Sequence, residues 1–253
     1  MKRRIFVILA VTSMAFAGCQ KEMIVYPGCF SISETQQVKF APGNLQYNPA
    51  LKIYRFAETQ YSFVGGNNAS ISATYNGWID LFGWGTGSNP TLSSSDYSLY
   101  GQFDDWGQYM TDNPGWRTLS FEEWNYVLSK RPNADKLRGT ATVCDIPGML
   151  LLPDKWTLDT ICNSIIDGYD LNVINALKWD TLQNAGAIFL PAAGNRMGTS
   201  VQGVRTYGRY WTSTPSAFNC AFFIGFGNEG TDDGTARSNG RSVRLAKVQT
   251  SPN

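Results

Sequence analysis

The sequence predicts an α+β domain, in which mixed and antiparallel sheets combine with two or three short helices and long, irregular, aromatic-rich loops. Three observations support this fold class. The C-terminal region holds strand-like segments at 209–214, 221–226 and 241–248. A helix start signal stands at Ser120. The polar segment 65–115 carries many aromatic rings, which argues for packed loops and against disorder.

The first 18 residues have the pattern of an export signal. A positive start at residues 2–4 precedes an apolar run at 5–16, and Ala17-Gly18-Cys19 is typical of a lipoprotein cleavage site. An ordinary secretory peptide that happens to contain a cysteine is the alternative. On the lipoprotein interpretation, Cys19 is the acylated first residue and anchors the chain to the membrane. Because Lys21-Glu22 is similar to signals that direct some lipoproteins outward, we expect a lipid-anchored protein of the bacterial outer membrane or cell surface.

The composition excludes several classes of function. Loss of the signal would take Lys and Arg from 21 to 18, against 20 Asp and Glu, so no basic footprint for nucleic acid is expected. The chain contains no histidine, which excludes Ser-His-Asp and Cys-His catalysis and His-containing zinc sites. We therefore predict a non-enzymatic protein without a cofactor or a metal. The cysteines after Cys19 leave two disulfides and free buried thiols equally open.

The segment at 19–36 is polar and irregular, which predicts a tether between the lipid and one domain at 37–253. Strand-like segments at 38–40 and 45–47 flank a Pro-Gly-Asn turn signal, and another follows at 53–56. We expect these N-terminal strands to close a mixed sheet against the end of the chain.

The clearest predicted helix begins at Ser120, because Ser120 and Glu123 have the spacing of a capping box. Further helices are predicted from about residue 157 and at 177–185. The first carries an apolar stripe and stops at Gly168, and the second ends at Gly186.

Acidic side chains offer few candidates for chemistry. Glu122 and Glu123 are adjacent on the predicted helix and point in different directions, so they do not form a catalytic pair. The acid pairs at 104–105 and 232–233 offer oxygens that calcium accepts, but they lack regular ligand spacing. Solvated loop acids are the preferred interpretation.

The strand at 221–226 determines where a ligand is expected. Phe222, Ile224 and Phe226 alternate with Phe223 and Gly225, so the first three are predicted to fill the core. Phe223 is then expected to point outward beside Gly225, which would leave a shallow apolar spot for a ligand.

Several motifs resemble one protein family. They are YWTSTP at 210–215, AFFIGF at 221–226, RSNGRSVR at 237–244, WRTLSFEEWNYVL at 116–128 and AGAIFLPAAGNR at 185–196. Together they resemble bacterial C-type-lectin-like domains of the branch related to the formylglycine-generating enzyme, which includes the major paralogous domain surface lipoproteins. The resemblance implies a C-type-lectin-like fold with recognition on its terminal sheet. Some relatives are targets of diversity-generating retroelements, which vary this sheet and its loops.

The resemblance implies the fold but not the chemistry of that enzyme. The formylglycine-generating enzyme holds copper with a pair of C-terminal cysteines, whereas Cys220 is the one cysteine in the terminal region here. The calcium-and-sugar motifs of animal C-type lectins are also absent. In this family, arginines such as Arg237, Arg241 and Arg244 more often tie loops to the sheet than bind ligand.

A ligand is therefore expected on the variable side of the terminal sheet. The candidate residues are Arg209, Phe218, Asn219, Phe223, Asn228, Glu229, Asp232, Asp233 and Asn239. Aromatic, amide and charged groups on a rigid frame suit the reversible binding of a glycan or a surface protein. The alternatives are an inert polar rim, a structural subunit of a surface appendage or envelope complex, and a carboxylate-based hydrolase.

Overall fold

A computed structural model describes residues 28–156, 168–227 and 232–250, without the side chains of Asp232 and Asp233. The predicted export signal, Cys19, most of the predicted tether and the helix predicted from residue 157 lie outside these residues. The described chain has an α+β fold of mostly antiparallel sheets with few short helices, which confirms the predicted class. No helix in this part of the chain is long and apolar enough to cross a membrane.

The strands, in chain order, are β1 (Phe30–Ser31), β2 (Gln37–Phe40), β3 (Leu45–Asn48), β4 (Ile53–Phe56), β5 (Trp116–Thr118), β6 (Arg138–Val143), β7 (Ile146–Leu151), β8 (Val173–Ile174), β9 (Ile188–Pro191), β10 (Asn195–Met197), β11 (Ser200–Gln202), β12 (Gly208–Pro215), β13 (Cys220–Phe226), β14 (Asp232–Ala236) and β15 (Leu245–Val248). The helices are α1 (Phe121–Asn125), which continues as a π-helical turn at Tyr126–Lys130, and α2 (Ala176–Asn184). Short 3-10 segments at Gly65–Ser70, Tyr97–Leu99 and Trp106–Tyr109 lie in the loop-rich region between β4 and β5.

One four-stranded sheet joins the two ends of the described chain. Its order is β1-β2-β15-β5, and β15 pairs antiparallel with both β2 and β5. This pairing confirms for β2 that an N-terminal strand closes against β15, whereas β3 and β4, which were expected to do the same, pair with each other in a separate two-stranded sheet. β1 lies inside the predicted tether, and Phe30 is buried with its ring edge-on to Phe40 at 5.1 Å. The prediction that the domain begins at residue 37 is therefore wrong, because β1 already belongs to the core.

A second four-stranded sheet has the order β8-β6-β7-β9 and contains a hairpin that the sequence analysis did not predict. Cys144 and Asp145 connect β6 to β7, with φ angles of 48° and 65°. Positive φ at both central residues is the signature of a type I′ hairpin turn. The predicted helix at 177–185 is confirmed as α2, which buries Trp179 and Leu182 in the cluster that covers this sheet.

Helix α1 begins with the predicted capping box. Ser120 Oγ accepts a hydrogen bond from the backbone N–H of Glu123 at 3.2 Å. Glu123 Oε2 accepts one from the backbone N–H of Ser120 at 2.8 Å. Because Glu123 also forms an ion pair with Arg117, its carboxylate is engaged in structure.

The terminal sheet has the order β12-β13-β14. The strands predicted at 209–214 and 221–226 are confirmed as β12 and β13. The strand predicted at 241–248 is confirmed over Leu245–Val248 as β15, but it belongs to another sheet, and the third strand of the terminal sheet is β14. β14 pairs with β13 after a short loop, and short connections favour such neighbours. The residues of β15 instead bury Leu245 and Ala246 in the sheet that joins the chain ends.

Buried arginines tie loops to these sheets. Arg244 donates hydrogen bonds to the carbonyl oxygens of Ala41 at 2.9 Å and Phe189 at 2.7 Å, so it joins the N-terminal region to β9. Burial lowers the pKa of Arg244 to about 10, which leaves the guanidinium charged at neutral pH. Arg196 is also buried and donates to the carbonyl oxygen of Leu81.

Candidate functional site

Phe223 is not at the surface, which overturns the central residue of the predicted site. Its side chain is 2% exposed and belongs to a core cluster with Trp211 and Ala221. The guanidinium of Arg241 lies 3.5 Å from the centroid of the Phe223 ring. A ligand therefore cannot reach Phe223 without opening the core.

The opposite face of β13 is covered as well. Ile224 and Phe226 are in the main core, as predicted. Phe222 is half-buried and stacks on Phe121 of α1, with ring centroids 4.7 Å apart. Since both faces of the terminal sheet are packed, alternation in this strand does not separate a core face from a ligand face.

Of the other predicted residues, Arg209 and Asn219 lie at opposite ends of the terminal sheet. Arg209 is opposite Gly225, and its guanidinium lies 4.6 Å from the centroid of the Tyr207 ring. Phe218 and Asn219 belong to the turn between β12 and β13, roughly 20 Å from Arg209 at about 3.3 Å per residue. The described members of the predicted set therefore do not form one surface.

Asn239 is engaged in loop structure, because its Nδ2 donates to Thr235 Oγ1 at 2.8 Å. Asn228 and Glu229 lie outside the described residues, as do the side chains of Asp232 and Asp233.

A cleft opens at the turn between β12 and β13, where Asn219 lies. It has a volume of 630 Å³ and lies between this turn and the loop that includes the 3-10 segment Tyr97–Leu99. Its lining residues are Trp84, Tyr97, Ser98, Tyr100, Gly101, Gln102, Phe103, Pro215, Asn219 and Arg237. We call it the aromatic cleft, since rings dominate its lining beside amides and one cation.

Arg237 is held rigidly in the wall of the aromatic cleft. Its Nε donates to the carbonyl oxygen of Cys220 at 3.1 Å, and Nη1 donates to those of Tyr100 at 3.3 Å and Gly101 at 2.8 Å. The guanidinium also lies 4.4 Å from the centroid of the Trp84 ring. These contacts fix the position of the charge without neutralising it.

The floor of the cleft is formed by Trp84, whose indole is buried against the terminal sheet. Trp84 Nε1 donates to the carbonyl oxygen of Thr212 at 2.8 Å. The backbone N–H of Trp84 donates to the carbonyl oxygen of Arg237, also at 2.8 Å. Phe103 packs on the same indole, with ring centroids 5.0 Å apart. The sheet therefore positions both the floor and the cation.

The opposite wall is a loop that holds its own shape. Asp96 Oδ1 accepts hydrogen bonds from the backbone N–H of Ser98 at 2.9 Å and from its hydroxyl at 2.6 Å. These bonds lower the pKa of the Asp96 carboxyl. Tyr100 is buried and donates its hydroxyl to the carbonyl oxygen of Ser94 at 2.9 Å. With the loop fixed in this way, the Tyr97 ring remains 56% exposed at the mouth of the cleft.

Phe218 stands beside the cleft in an unusual conformation. Its side chain is 95% exposed and its φ angle is 54°, in the left-handed region that bulky residues rarely occupy. Strained backbone of this kind concentrates at binding and active sites. Phe218 is adjacent to Asn219, so this ring adds to the apolar surface near the cleft.

The acids at 104–105 are engaged in loop structure. Asp105 accepts hydrogen bonds from the backbone N–H groups of Gly107 and Thr118, both at 3.0 Å. Asp104 accepts from the backbone N–H of Ser88 at 2.7 Å and from the Tyr109 hydroxyl at 2.9 Å. Across the described ranges, no three His, Cys, Asp or Glu side chains are grouped to hold a metal ion.

Cys29, Cys144 and Cys220 are free thiols, while Cys162 lies outside the described residues. Burial raises the pKa of the Cys29 thiol, which keeps it protonated at neutral pH. None of these three thiols lines the aromatic cleft.

Other clefts lie away from the terminal sheet. One of 520 Å³ lies beside β4 and includes Tyr54 and Tyr109, and another of 710 Å³ includes Lys39 and Lys155. Neither contains a residue of the predicted ligand site, so the aromatic cleft is the candidate functional site.

Comparison with known proteins gives no match to a family model, to a curated protein or to a solved structure. The resemblance to C-type-lectin-like domains therefore rests on the sequence motifs alone.

Among the residues of the aromatic cleft, Asn219 was predicted from the sequence as a site residue, whereas Trp84, Tyr97 and Arg237 were not. A partial signal was present, because the segment 65–115 combines loop composition with many rings. That signal does not distinguish the exposed Tyr97 ring from the buried Trp84 ring, since both stand among residues typical of loops.

Proposed function

We propose that this protein is a lipid-anchored recognition module of the bacterial outer membrane or cell surface, with a C-type-lectin-like fold and no enzymatic activity. It binds a ligand, either a glycan or a protein, in the aromatic cleft. The observation that carries this proposal is that the exposed Tyr97 ring lines the same cleft as a guanidinium that is already fixed in place. Groups that are ordered before binding contribute affinity because little side-chain freedom is then lost.

The rigidity of the frame supports a binding role. The terminal sheet is packed on both faces, and the loop bearing Tyr97 is closed by its own hydrogen bonds. Pairing of β15 with β2 ties the N-terminal strands to the last strand of the described chain, which stiffens the frame. Recognition modules commonly place variable loops on a scaffold of this kind.

The environment of Asp80 indicates a structural role for this acid. Asp80 is a fully buried carboxyl whose pKa is raised to about 6, chiefly by burial. Its oxygens accept hydrogen bonds from the backbone N–H of Val64 and from Asn68 Nδ2, both at 2.8 Å. A substrate has no route to this carboxyl, so its raised pKa reflects structure.

A structural subunit of an appendage or envelope complex is the second candidate function. It is favoured by exposed apolar side chains at Leu171, Val173 and Leu177, around β8 and the start of α2. Stable co-purification with one fixed partner, lost on changing Leu177 to a charged residue, would favour this role.

The test of the recognition role compares two neighbouring substitutions in the detergent-solubilised full chain. Tyr97→Ala is expected to weaken binding to the glycans or surface proteins found by an array screen roughly 10-fold or more, because truncating a central ring is costly. Leu99→Ala is the matched control, since Leu99 is 55% exposed in the same 3-10 segment but does not line the cleft. Both variants should melt like the wild type.

Two outcomes would contradict the proposal. One is a screen of glycans and envelope proteins in which the wild-type protein binds nothing. The other is binding that Tyr97→Ala and Leu99→Ala reduce equally, because the cleft would then have no special part in it.

A further inference from the structure

We infer that the aromatic cleft selects an acidic saccharide, whose carboxylate pairs with Arg237 while a sugar ring packs on Tyr97. This inference rests on the proposed function and specifies its ligand class.

Among the residues whose side chains the structure describes, the charge of Arg237 has no counterion. Its three hydrogen bonds go to carbonyl oxygens, and among the described residues no Asp or Glu forms an ion pair with it. Asp96, the acid closest in sequence to the opposite wall, directs Oδ1 to Ser98. A carboxylate brought by a ligand would therefore supply the missing negative charge.

Arg237 also retains a donor for that carboxylate. Nε and Nη1 are used, whereas Nη2 has no hydrogen-bond partner in the described part of the chain. The planar guanidinium presents N–H donors in a fork that matches the two oxygens of a carboxylate. Stacking over Trp84 keeps this fork from rotating. Because the side chain is already ordered, pairing with a carboxylate costs little rotamer entropy.

The remaining lining favours a sugar over an acidic peptide. Gln102 and Asn219 bring side-chain amides, which can donate to and accept from ring hydroxyls. Neither amide has a hydrogen-bond partner among the described residues. Tyr97 adds an exposed ring that can cover the apolar face of a pyranose. An extended peptide would instead need a row of backbone N–H and C=O groups in the cleft to pair with its own backbone. Two side-chain amides do not provide such a row.

The experiment measures binding of paired ligands to the detergent-solubilised full chain by calorimetry. Tetragalacturonate is compared with the same tetrasaccharide after its carboxyl groups are reduced to alcohols, and sialyllactose is compared with lactose. We expect the carboxylated member of at least one pair to bind about 10-fold tighter or more, because hydrogen bonds to charged groups are strong. The two pairs distinguish a uronate from a sialate ligand.

Substitutions assign this preference to Arg237. Arg237→Gln should bind both members of a pair equally, and Arg237→Lys should recover only part of the preference, since a lysine lacks the fork. Arg209→Gln is the matched control: Arg209 also packs on aromatic rings but lies at the other end of the terminal sheet. It should keep the full preference for the carboxylate.

The wild-type comparison keeps the inference testable even if Arg237→Gln fails to fold. Equal affinity for carboxylated and reduced sugars would overturn the inference, while the proposed function stands if Tyr97→Ala still weakens that binding. Preferential binding of polyglutamate would overturn the sugar assignment. Binding to none of these saccharides would overturn the inference. The array screen would then test the proposed function separately.

Discussion

At the scale of single residues, Phe223 shows why a strand pattern can mislead. The run Ala-Phe-Phe-Ile-Gly-Phe at 221–226 is apolar at nearly every position, so period-two alternation has no polar face to mark the outside. The structure buries Phe223 beneath Arg241 and leaves Phe222 half-buried on α1. A face assignment needs the elements that cover each side of the sheet, and these are distant in sequence.

The buried position of Phe223 predicts a large loss of stability. Phe223→Ala should lower the free energy of unfolding by about 3–5 kcal/mol, because it leaves a cavity beside Trp211 and removes one of the two rings on which Arg241 packs. Phe218→Ala is the control, because Phe218 is 95% exposed and its removal should barely change stability. Denaturant unfolding measures both variants. A Phe223→Ala protein as stable as the wild type would contradict the buried assignment.

At the scale of elements, the sequence identified strands better than it identified their partners. β2, β12 and β13 were predicted close to their observed bounds, because local alternation and turn residues indicate extended segments. The pairing of β14 with β13, and of β15 with β2, depends on the length of the connecting loop and on which apolar surface each strand can bury. The same limit applies to the aromatic cleft, whose two walls lie more than 100 residues apart in sequence.

Asp80 links two elements of the loop-rich region, and its burial predicts a pH-dependent stability. The carboxyl binds the 3-10 segment Gly65–Ser70 through Asn68, and its pKa is raised to about 6 from an ordinary value of 3.8. Between pH 3.8 and about pH 6, the folded state therefore binds a proton on Asp80 that the unfolded chain has already released. This contribution to stability is fully present below pH 3.8 and is lost as the pH rises through about 6.

The measurement compares the unfolding free energies of the wild type and Asp80→Asn from pH 4 to pH 7. The wild type should lose about 3 kcal/mol relative to the variant over this range. Asp96→Asn is the control, because hydrogen bonds from Ser98 lower the pKa of Asp96, so the Asp96 contribution is lost only below pH 3.8 and should stay nearly constant from pH 4 to pH 7. Parallel curves for the wild type and Asp80→Asn would show that Asp80 is ionised in the folded state as readily as in the unfolded chain.

At the scale of the whole molecule, β1 brings the domain closer to the proposed anchor than the sequence indicated. The first strand begins at Phe30, so the chain between Cys19 and the core can span at most roughly 40 Å even when fully extended. The sheet that contains β1 also contains β15, so it joins the first and the last strands of the described chain. A domain held this near the membrane would meet ligands of the envelope itself or of adjacent surfaces.

The anchor is tested by changing Cys19 and following both the protein and its lipid. Cys19→Ala should move the protein from the membrane fraction to the soluble fraction and abolish its labelling by a fatty-acid probe, because acylation of this thiol is the proposed attachment. Cys29→Ala is the matched control: Cys29 is the next cysteine along the chain, but it is buried beside β1 and should leave fractionation and labelling unchanged. If Cys19→Ala remains in the membrane fraction and keeps its label, attachment does not occur through this cysteine. Loss of label with unchanged fractionation would place attachment in the apolar run at 5–16, which would then act as an uncleaved anchor.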